Sequence, residues 1–511
     1  RIFKDLSVIL NREVFSMHTG IEDYKGILLS GDFNKDTKKI EDILKNDSIL
    51  FKRMIKIGHT GVRCQLYYID GMVNASMLDD SVIRPLVSTS IEDKALATTT
   101  FLMSNILFTS DAKTQTDLGE ILRSLLYGDT VLIIENSETD ILIDSKGWRT
   151  RGVSEPVDER VLQGPREGFD EAAMLNIALI RRKLITPDLC TEMLHVGKRS
   201  ETLVFLCYLG SLADKKTVEL IRKKIKAIAI DGILDSNYIA EMIKKPKYCL
   251  FKTIGTTERP DIVAARLLEG RIAVVVDGTP VVLTIPYLFC ENFQSDEDYY
   301  LNFIVSSVGR GLRYVCFFLA ILVPAVFVAL SVHHFDLLPT SFALTLTRLR
   351  GGVPFPSVIE CLLLIFVFEI LKETGVRMPQ SLGHALSIVG GLVVGQASVE
   401  AGIISAPMLI AVALSGIAGL MIPRLKGAVL YIKVLFVIAA ALFGFYGILA
   451  LGFIMILRVL SLDSFGTDYT LPLLNPNRQS LKDTVIRAPW ENMLTRPAFN
   501  RNKVRKERID D

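Results

Sequence analysis

The sequence predicts an α/β N-terminal region of two lobes on the cytoplasmic side, followed by an α-helical, polytopic membrane domain. Three observations carry that expectation. Half of the 511 residues are hydrophobic while 22% are charged, and mean hydropathy is +0.36; a soluble half joined to a membrane half combines such values easily. Short strands and helices alternate through the first 300 residues or so. From Tyr314 to Val332 there follow nineteen residues without a charge, about enough to cross a hydrocarbon core of roughly 30 Å. A chain of this length has room for two to four domains, each with its own core.

Residues 1–160 read as the first lobe. The stretch 36–46 (DTKKIEDILKN) sets Ile40, Ile43 and Leu44 on one helical stripe with charges opposite. The runs 63–69 (RCQLYYI) and 130–134 (TVLII) are short, apolar and rich in β-formers, hence strands. Gly, Pro and charge crowd 145–170, the expected linker. Residues 165–300 form the second lobe. A helix is expected over 171–184, closed by Arg-Arg-Lys, which suits the negative end of the helix dipole. A strand at 202–209, a charged helix at 215–228 and another helix from Ser236 follow. The lobe closes with RIAVVVDGTPVVLTI (271–285), two apolar runs about an Asp277-Gly278 turn. Such a hairpin turn needs positive φ, which Gly supplies without strain.

Residues 310–460 are the membrane domain, with four to five helical segments. Arg310 and Arg313 precede the first span and favour a cytoplasmic start. Pro324 at its middle predicts a kink whose freed carbonyl is satisfied by neighbouring helices. Further apolar stretches occupy 358–371, 385–401, 408–422 and 428–457. The last is broken only by Lys433 and would be about 45 Å long at 1.5 Å per residue, too long for one upright crossing. It is either a strongly tilted helix or a hairpin broken at Gly444-Phe445-Tyr446-Gly447. If both ends of the domain are inside, the crossings are even in number and one of the five stretches is re-entrant or interfacial. Residues 461–511 are expected as a cytoplasmic basic tail; its end, RNKVRKERIDD, carries five basic residues.

Within 385–400 (ALSIVGGLVVGQASVE), Ser387, Gly391, Val394 and Ser398 recur at four, three and four residues, a narrow stripe of small side chains on one helical face. Close helix packing uses such residues. A pore wall shared about an axis would use them too, with Gln396 and Glu400 one turn apart near a mouth. Both readings stay open. Glu360 and Glu369 are ion-pathway candidates, because a carboxylate at membrane depth is costly unless it pairs or faces water. They also flank an apolar core of only eight residues (361–368), where an interfacial position accounts for them equally, and Glu369 has Lys372 one turn on.

Other chemistries lack their motifs. A net charge of +2 gives no nucleic-acid signal, and no nucleic-acid-binding motif is present. The seven cysteines stand far apart without C-x-x-C, which argues against a disulfide framework or structural zinc. Gly197-Lys198-Arg199-Ser200 resembles the end of a phosphate loop, but Glu192 stands where that loop needs its first Gly. No H-E-x-x-H or G-x-S-x-G occurs, and the adjacent His333 and His334 have no ligand spacing. Neither catalysis nor a metal or cofactor is expected. The N-terminus (RIFKDLSVILNREVF) is too polar for a secretory signal, which leaves the first 300 residues in the cytoplasm. No internal repeat of the kind a monomeric transporter carries is visible.

Several long stretches, in order from about 165 to 497, closely resemble the A subunits of GerA-type spore germination receptors. They include GPREGFDEAAMLNIALIRRKL, IDGILDSNYIAEMI, ERPDIVAARLLEGR, GVPFPSVIECLLLIFVFEILKETGVRMP, SIVGGLVVGQASVEAGIISAPMLIAVALSGIAG, SFGTDYTLP and LKDTVIRAPWENMLTRP. Residues 1–160 match only loosely. The resemblance implies a multi-pass protein of the spore inner membrane acting with B and C subunits, the B subunit sensing the nutrient. It implies a ring of copies, pentameric in that family, whose membrane helices form a gated cation channel that triggers germination. It also weights the 385–400 stripe towards pore lining. The related stage V sporulation protein AF shares the architecture and amplifies ion release without sensing. A receptor subunit, such an amplifier and a non-conducting scaffold are therefore the readings, with a monomeric transporter as rival. The implied partners are further copies of the chain, the B and C subunits and membrane lipid, with no nucleic acid.

Overall fold

The structure, a computed structural model, describes residues 20–89, 91, 98–147, 156, 159, 161, 163–244, 246, 249–377, 395–474, 482–493 and 495–497. In the first lobe, helix α1 (Phe33–Ile43) leads to strands β1 (Leu50–Lys56) and β2 (Arg63–Ile69). Short helices α2 (Ala75–Leu78), α3 (Arg84–Ser88) and α4 (Thr99–Asn105) follow, then β3 (Ala112–Gln115), α5 (Leu118–Tyr127), β4 (Thr130–Ile134) and β5 (Asp140–Ile143). The second lobe runs α6 (Ala173–Lys183), β6 (Leu189–Val196), β7 (Thr202–Leu209), α7 (Lys215–Lys226) and α8 (Ser236–Ile243). It ends with β8 (Gly255–Thr257), α9 (Pro260–Leu268), β9 (Ile272–Val276) and β10 (Val282–Ile285).

Each lobe holds a five-stranded antiparallel sheet, ordered β1-β2-β4-β5-β3 in the first and β6-β7-β9-β10-β8 in the second. Helices and strands follow one another in the same order in both, once the unbroken helical stretch 75–88, which includes α2 and α3, is set against α7. The lobe is therefore duplicated, although no repeat stands out in the sequence, because only short stretches keep the likeness. Gly128 and Gly270 follow α5 and α9 with φ of +105° and +86°, and Asn136 and Gly278 turn the next hairpins at +65° and +87°. Gly and Asn adopt that conformation at least cost. Asn74 and Asp214, each the fifth residue past its strand, cap α2 and α7 through their side chains.

The two sheets are stacked. Helices α1, α5, α6 and α9 share one core with Tyr67 and Ile133 of the first sheet and Phe205 and Val275 of the second. The other face of the first sheet is covered by α2–α4 through Leu78, Leu86 and Leu102. The other face of the second is covered by α7 and α8 through Val218, Ile221 and Ile239. Arg181 of α6 locks the lobes together: wholly buried, it donates to Asp47 at 2.5 Å, and the other Asp47 oxygen accepts from Thr191 at 2.6 Å.

The helical bundle comprises α10 (Phe303–Val332), α11 (Thr340–Arg350), α12 (Ser357–Arg377), α13 (Ala406–Leu420) and α14 (Lys426–Leu460), with strands β11 (Asp463–Ser464) and β12 (Thr467–Asp468) after it. Two stretches, Phe303–Val332 and Pro423–Leu460, are long and apolar enough to cross a membrane. Helix α10 continues through Pro324, which is buried in the bundle. The second stretch is not a single rod. Gly444 has φ +60° and ψ −138°, and beyond it the chain doubles back. A Cβ on Gly447 would strike the carbonyl of Ala439, and one on Gly452 would lie 4.0 Å from the Phe436 ring. In a continuous helix residues 436 and 452 would stand about 24 Å apart. Of the two alternatives for 428–457, the chain takes the hairpin.

Candidate functional site

The lobes and the bundle are joined by buried charge. Arg310 and Arg313, at the start of α10, grip Asp298: Arg310 Nε at 2.8 Å, Arg313 Nη1 and Nη2 at 2.9 and 3.0 Å. Arg310 also holds Asp483 at 2.8 Å. Arg487 donates to the carbonyls of Leu301 and Tyr299 at 2.7 and 3.3 Å, and its guanidinium lies over the rings of Tyr299 and Trp490. Residues 482–493 are thus a strap across the root of α10, although they fall in the stretch expected as a tail. Arg310 and Asp298 are almost wholly buried, and taking one partner away would leave the other's charge bare at low dielectric.

A second set seats the start of α14. Glu291 takes Arg271 at 2.6 Å and Arg266 at 2.9 Å. Its carbonyl accepts from Arg424 at 3.1 Å, and Arg424 also reaches Asp296 at 3.1 Å and Glu159 at 3.6 Å. Burial first, and then the neighbouring Asp296, push the Glu159 carboxyl above its ordinary pKa against the pull of Arg424.

A third contact receives the end of α14. Ser464 Oγ donates to the carbonyl of Thr253 at 2.7 Å and accepts from the N–H of Tyr287 at 3.1 Å. Phe465, at φ +54°, plugs its ring into the core beneath α7, with Lys224 Nζ 4.3 Å from the ring centroid. A bulky residue at positive φ persists only where its surroundings over-determine it; burial of the ring does that here.

The residues singled out from sequence fare unevenly. Ser387, Gly391 and Val394 lie outside the described residues. Ser398 is half-buried in a helical turn at 395–400, where exposed Gln396 donates to exposed Glu400 at 2.8 Å. Glu360 is buried in the first turn of α12 and accepts from the N–H and the hydroxyl of Ser405, both at 2.5 Å. A carboxylate there satisfies an orphan donor at the start of α13 and favours the positive end of its dipole. Glu369 pairs with Lys372 at 2.9 Å, as their spacing suggests. The structure joins Glu360 to α13, not to Glu369. Asp298, Asp483, Arg487 and Phe465 escaped sequence reading; their only signal was membership in the stretches SFGTDYTLP and LKDTVIRAPW and in the acidic run before α10. Among the described residues no group of three or more His, Cys, Asp or Glu could hold a metal ion.

The architecture is therefore a duplicated α/β lobe locked by ionic contacts to an apolar helical bundle. The family described as Bacillus/Clostridium GerA spore germination protein matches residues 38–499, and the chain belongs to that family. It is 36% identical over 482 residues to the membrane protein YfkQ of Bacillus subtilis (strain 168), across 93% of each chain. It is 36% identical to spore germination protein KA of the same strain, across 92% of this chain and 87% of that one. With spore germination protein GerLA of Bacillus cereus the identity is 32%, across 93% and 97%. The crystal structure of the N-terminal domain of the A subunit of the Bacillus megaterium spore germinant receptor GerK3 is 31% identical and covers 51% of this chain and 97% of its own, with a TM-score of 0.41.

Proposed function

We propose that the chain is an A-type subunit of a nutrient germinant receptor in the spore inner membrane. Its copies form a ring around a gated cation path, and the two lobes are a cytoplasmic collar that drives opening. The receptor's B and C subunits are its partners.

The observation that carries this reading is the return of α14 to the lobe it left. Arg424 at its start and Ser464 just past its end both bind the second lobe, as does Arg310 at the start of α10. A bundle whose two ends reach the same lobe crosses an even number of times, and the hairpin accounts for two of the crossings. The bundle exterior is apolar, with Phe318, Phe366, Ile410, Leu449 and Phe453 exposed, as a lipid-facing surface would be. One copy cannot enclose water, whereas a symmetric ring supplies the missing walls. Because the collar grips the starts of α10 and α14 through paired charges and the end of α14 through Ser464 and Phe465, a tilt of the lobes would pull on both helices together.

Reconstitution of purified protein in liposomes tests the reading. Ion flux is expected from ring-shaped particles whose symmetry can be counted from above. Ser387→Trp or Gly391→Trp should block flux while the ring still assembles. Saturable solute uptake would favour a transporter, and no flux at all a scaffold. A strictly monomeric chain in lipid would end the proposal.

A further inference from the structure

The duplicated lobes end in two equivalent outer faces that no described residue covers. Helices α2–α4 form one end of the stack and α7–α8 the other, with both sheets and the shared core between them. Each end leaves large apolar side chains in the open. On the first are Val87 (53% exposed) and Phe108 (72%); on the second, Leu234 (73%), Tyr238 (40%) and Met242 (41%), spaced four residues apart. Apolar exposure grouped as it is at 234, 238 and 242 marks a docking surface.

The two ends differ in charge. Helix α7, KKTVELIRKKIK, carries six basic residues and one acidic, with Arg222 tied to the carboxylates of Glu192 and Glu219. The equivalent stretch at 75–88 carries Asp79, Asp80 and a single base, Arg84, already tied to Asp80 at 3.0 Å. The bundle reaches the stack without covering Leu234, Tyr238 and Met242 at one end or Val87 and Phe108 at the other. Its junction draws on Arg266 of α9, from the central layer, as well as on Phe465 beneath α7. Both sets of apolar side chains stay exposed beside that junction.

Unlike faces at opposite ends of one body suit a head-to-tail contact between identical copies; a self-complementary face would instead close a dimer. We propose that the α7–α8 face of one copy docks on the α2–α4 face of the next, apolar side chains forming the contact and opposite charge setting its register. This rests on the ring reading and adds which surfaces make the ring.

Cross-linking and charge exchange in the purified full-length protein test it. Phe108→Cys and Tyr238→Cys in one chain, treated with a short bis-maleimide, should give a ladder of oligomers ending at the closed ring. Either substitution alone should give no more than the wild-type background. Dimers from single variants, with no ladder from the double, would mean a two-fold contact and overturn the proposal. By mass photometry, Lys216→Glu with Lys223→Glu should lower the ring fraction at least about tenfold, because like charges set against each other oppose docking. Adding Asp79→Lys and Asp80→Lys to the same chain should restore it. Intact rings in every variant, without a ladder, would overturn the interface and leave the ring standing. A monomeric wild type would overturn both.

Discussion

Arg310 and Asp483 stand 173 positions apart in the chain and 2.8 Å apart in the fold. The guanidinium belongs to the root of a long apolar helix and the carboxylate to a strap near the C-terminus, so one contact fastens the end of the chain to the entrance of the bundle. Tyr299 reinforces it by donating to Asp483 at 2.9 Å.

Asp483→Ala is expected to loosen the strap. It would leave Arg310 with Asp298 as its one carboxylate and with the backbone carbonyl at 483, and losing a buried partner typically costs about 3–5 kcal/mol. A third of the Asp483 side chain meets solvent, so about 1–3 kcal/mol is the expected loss. It would appear as a lower melting midpoint in detergent and faster proteolysis within 482–493, while Glu491→Ala, on an exposed residue, changes neither. An unmoved midpoint in Asp483→Ala would show that the strap is fastened elsewhere.

Phe465 offers an unusual ordering. Truncating its ring should cost about 3–5 kcal/mol, as for other buried aromatics. Its φ of +54° penalises alanine by roughly 1 kcal/mol relative to glycine. Thermal unfolding should therefore rank the native chain above Phe465→Gly, and Phe465→Gly above Phe465→Ala. Ala above Gly would mean that the backbone relaxes once the plug is removed.

Gly444 permits the turn of α14. At φ +60° and ψ −138° almost only glycine is comfortable, and a Cβ would come within 2.6 Å of His334 Nε2. Gly444→Ala should reduce the yield of monodisperse protein several-fold. Gly427→Ala, where a Cβ meets nothing within 4 Å, should not. Equal yields would argue against a hairpin.

The first lobe should lose stability as pH rises. Asp140 is buried with one carboxylate oxygen unpaired, and burial first, then Asp36, raises its pKa to about 7. The unfolded value is about 3.9, so the folded chain holds the proton more tightly. The stability this provides is complete below about pH 4 and is lost as pH climbs towards 7. Asp140→Asn should therefore raise the melting midpoint at pH 8 and leave it nearly unchanged at pH 4. The same pH dependence in both proteins would refute the assignment.

Much of the lobe architecture is legible locally. The strand at 202–209, the helices starting at Lys215 and Ser236, and the Gly278 hairpin lie where periodicity and turn chemistry put them. Strand β6 (LCTEMLHV) is harder to see, because Glu192 and His195 interrupt its apolar pattern on opposite faces. Glu369 and Lys372 pair as neighbours on one helix do, whereas the burial of Glu360 against Ser405 depends on another helix and could not be read. The duplication is carried by strand order rather than by side-chain pattern, so it is legible only in the fold.

By itself the sequence determined the division into an α/β part and an apolar helical part, and that the last apolar stretch is too long for one upright crossing. Each of these follows from short-range pattern, where a residue's partners are its own neighbours. Only the tertiary structure decided that α14 turns back, that residues 482–493 bind the root of α10, and that the lobes stack with unlike faces outward. Those outcomes depend on groups brought together from distant positions, whose energies arise only once water has been excluded between them.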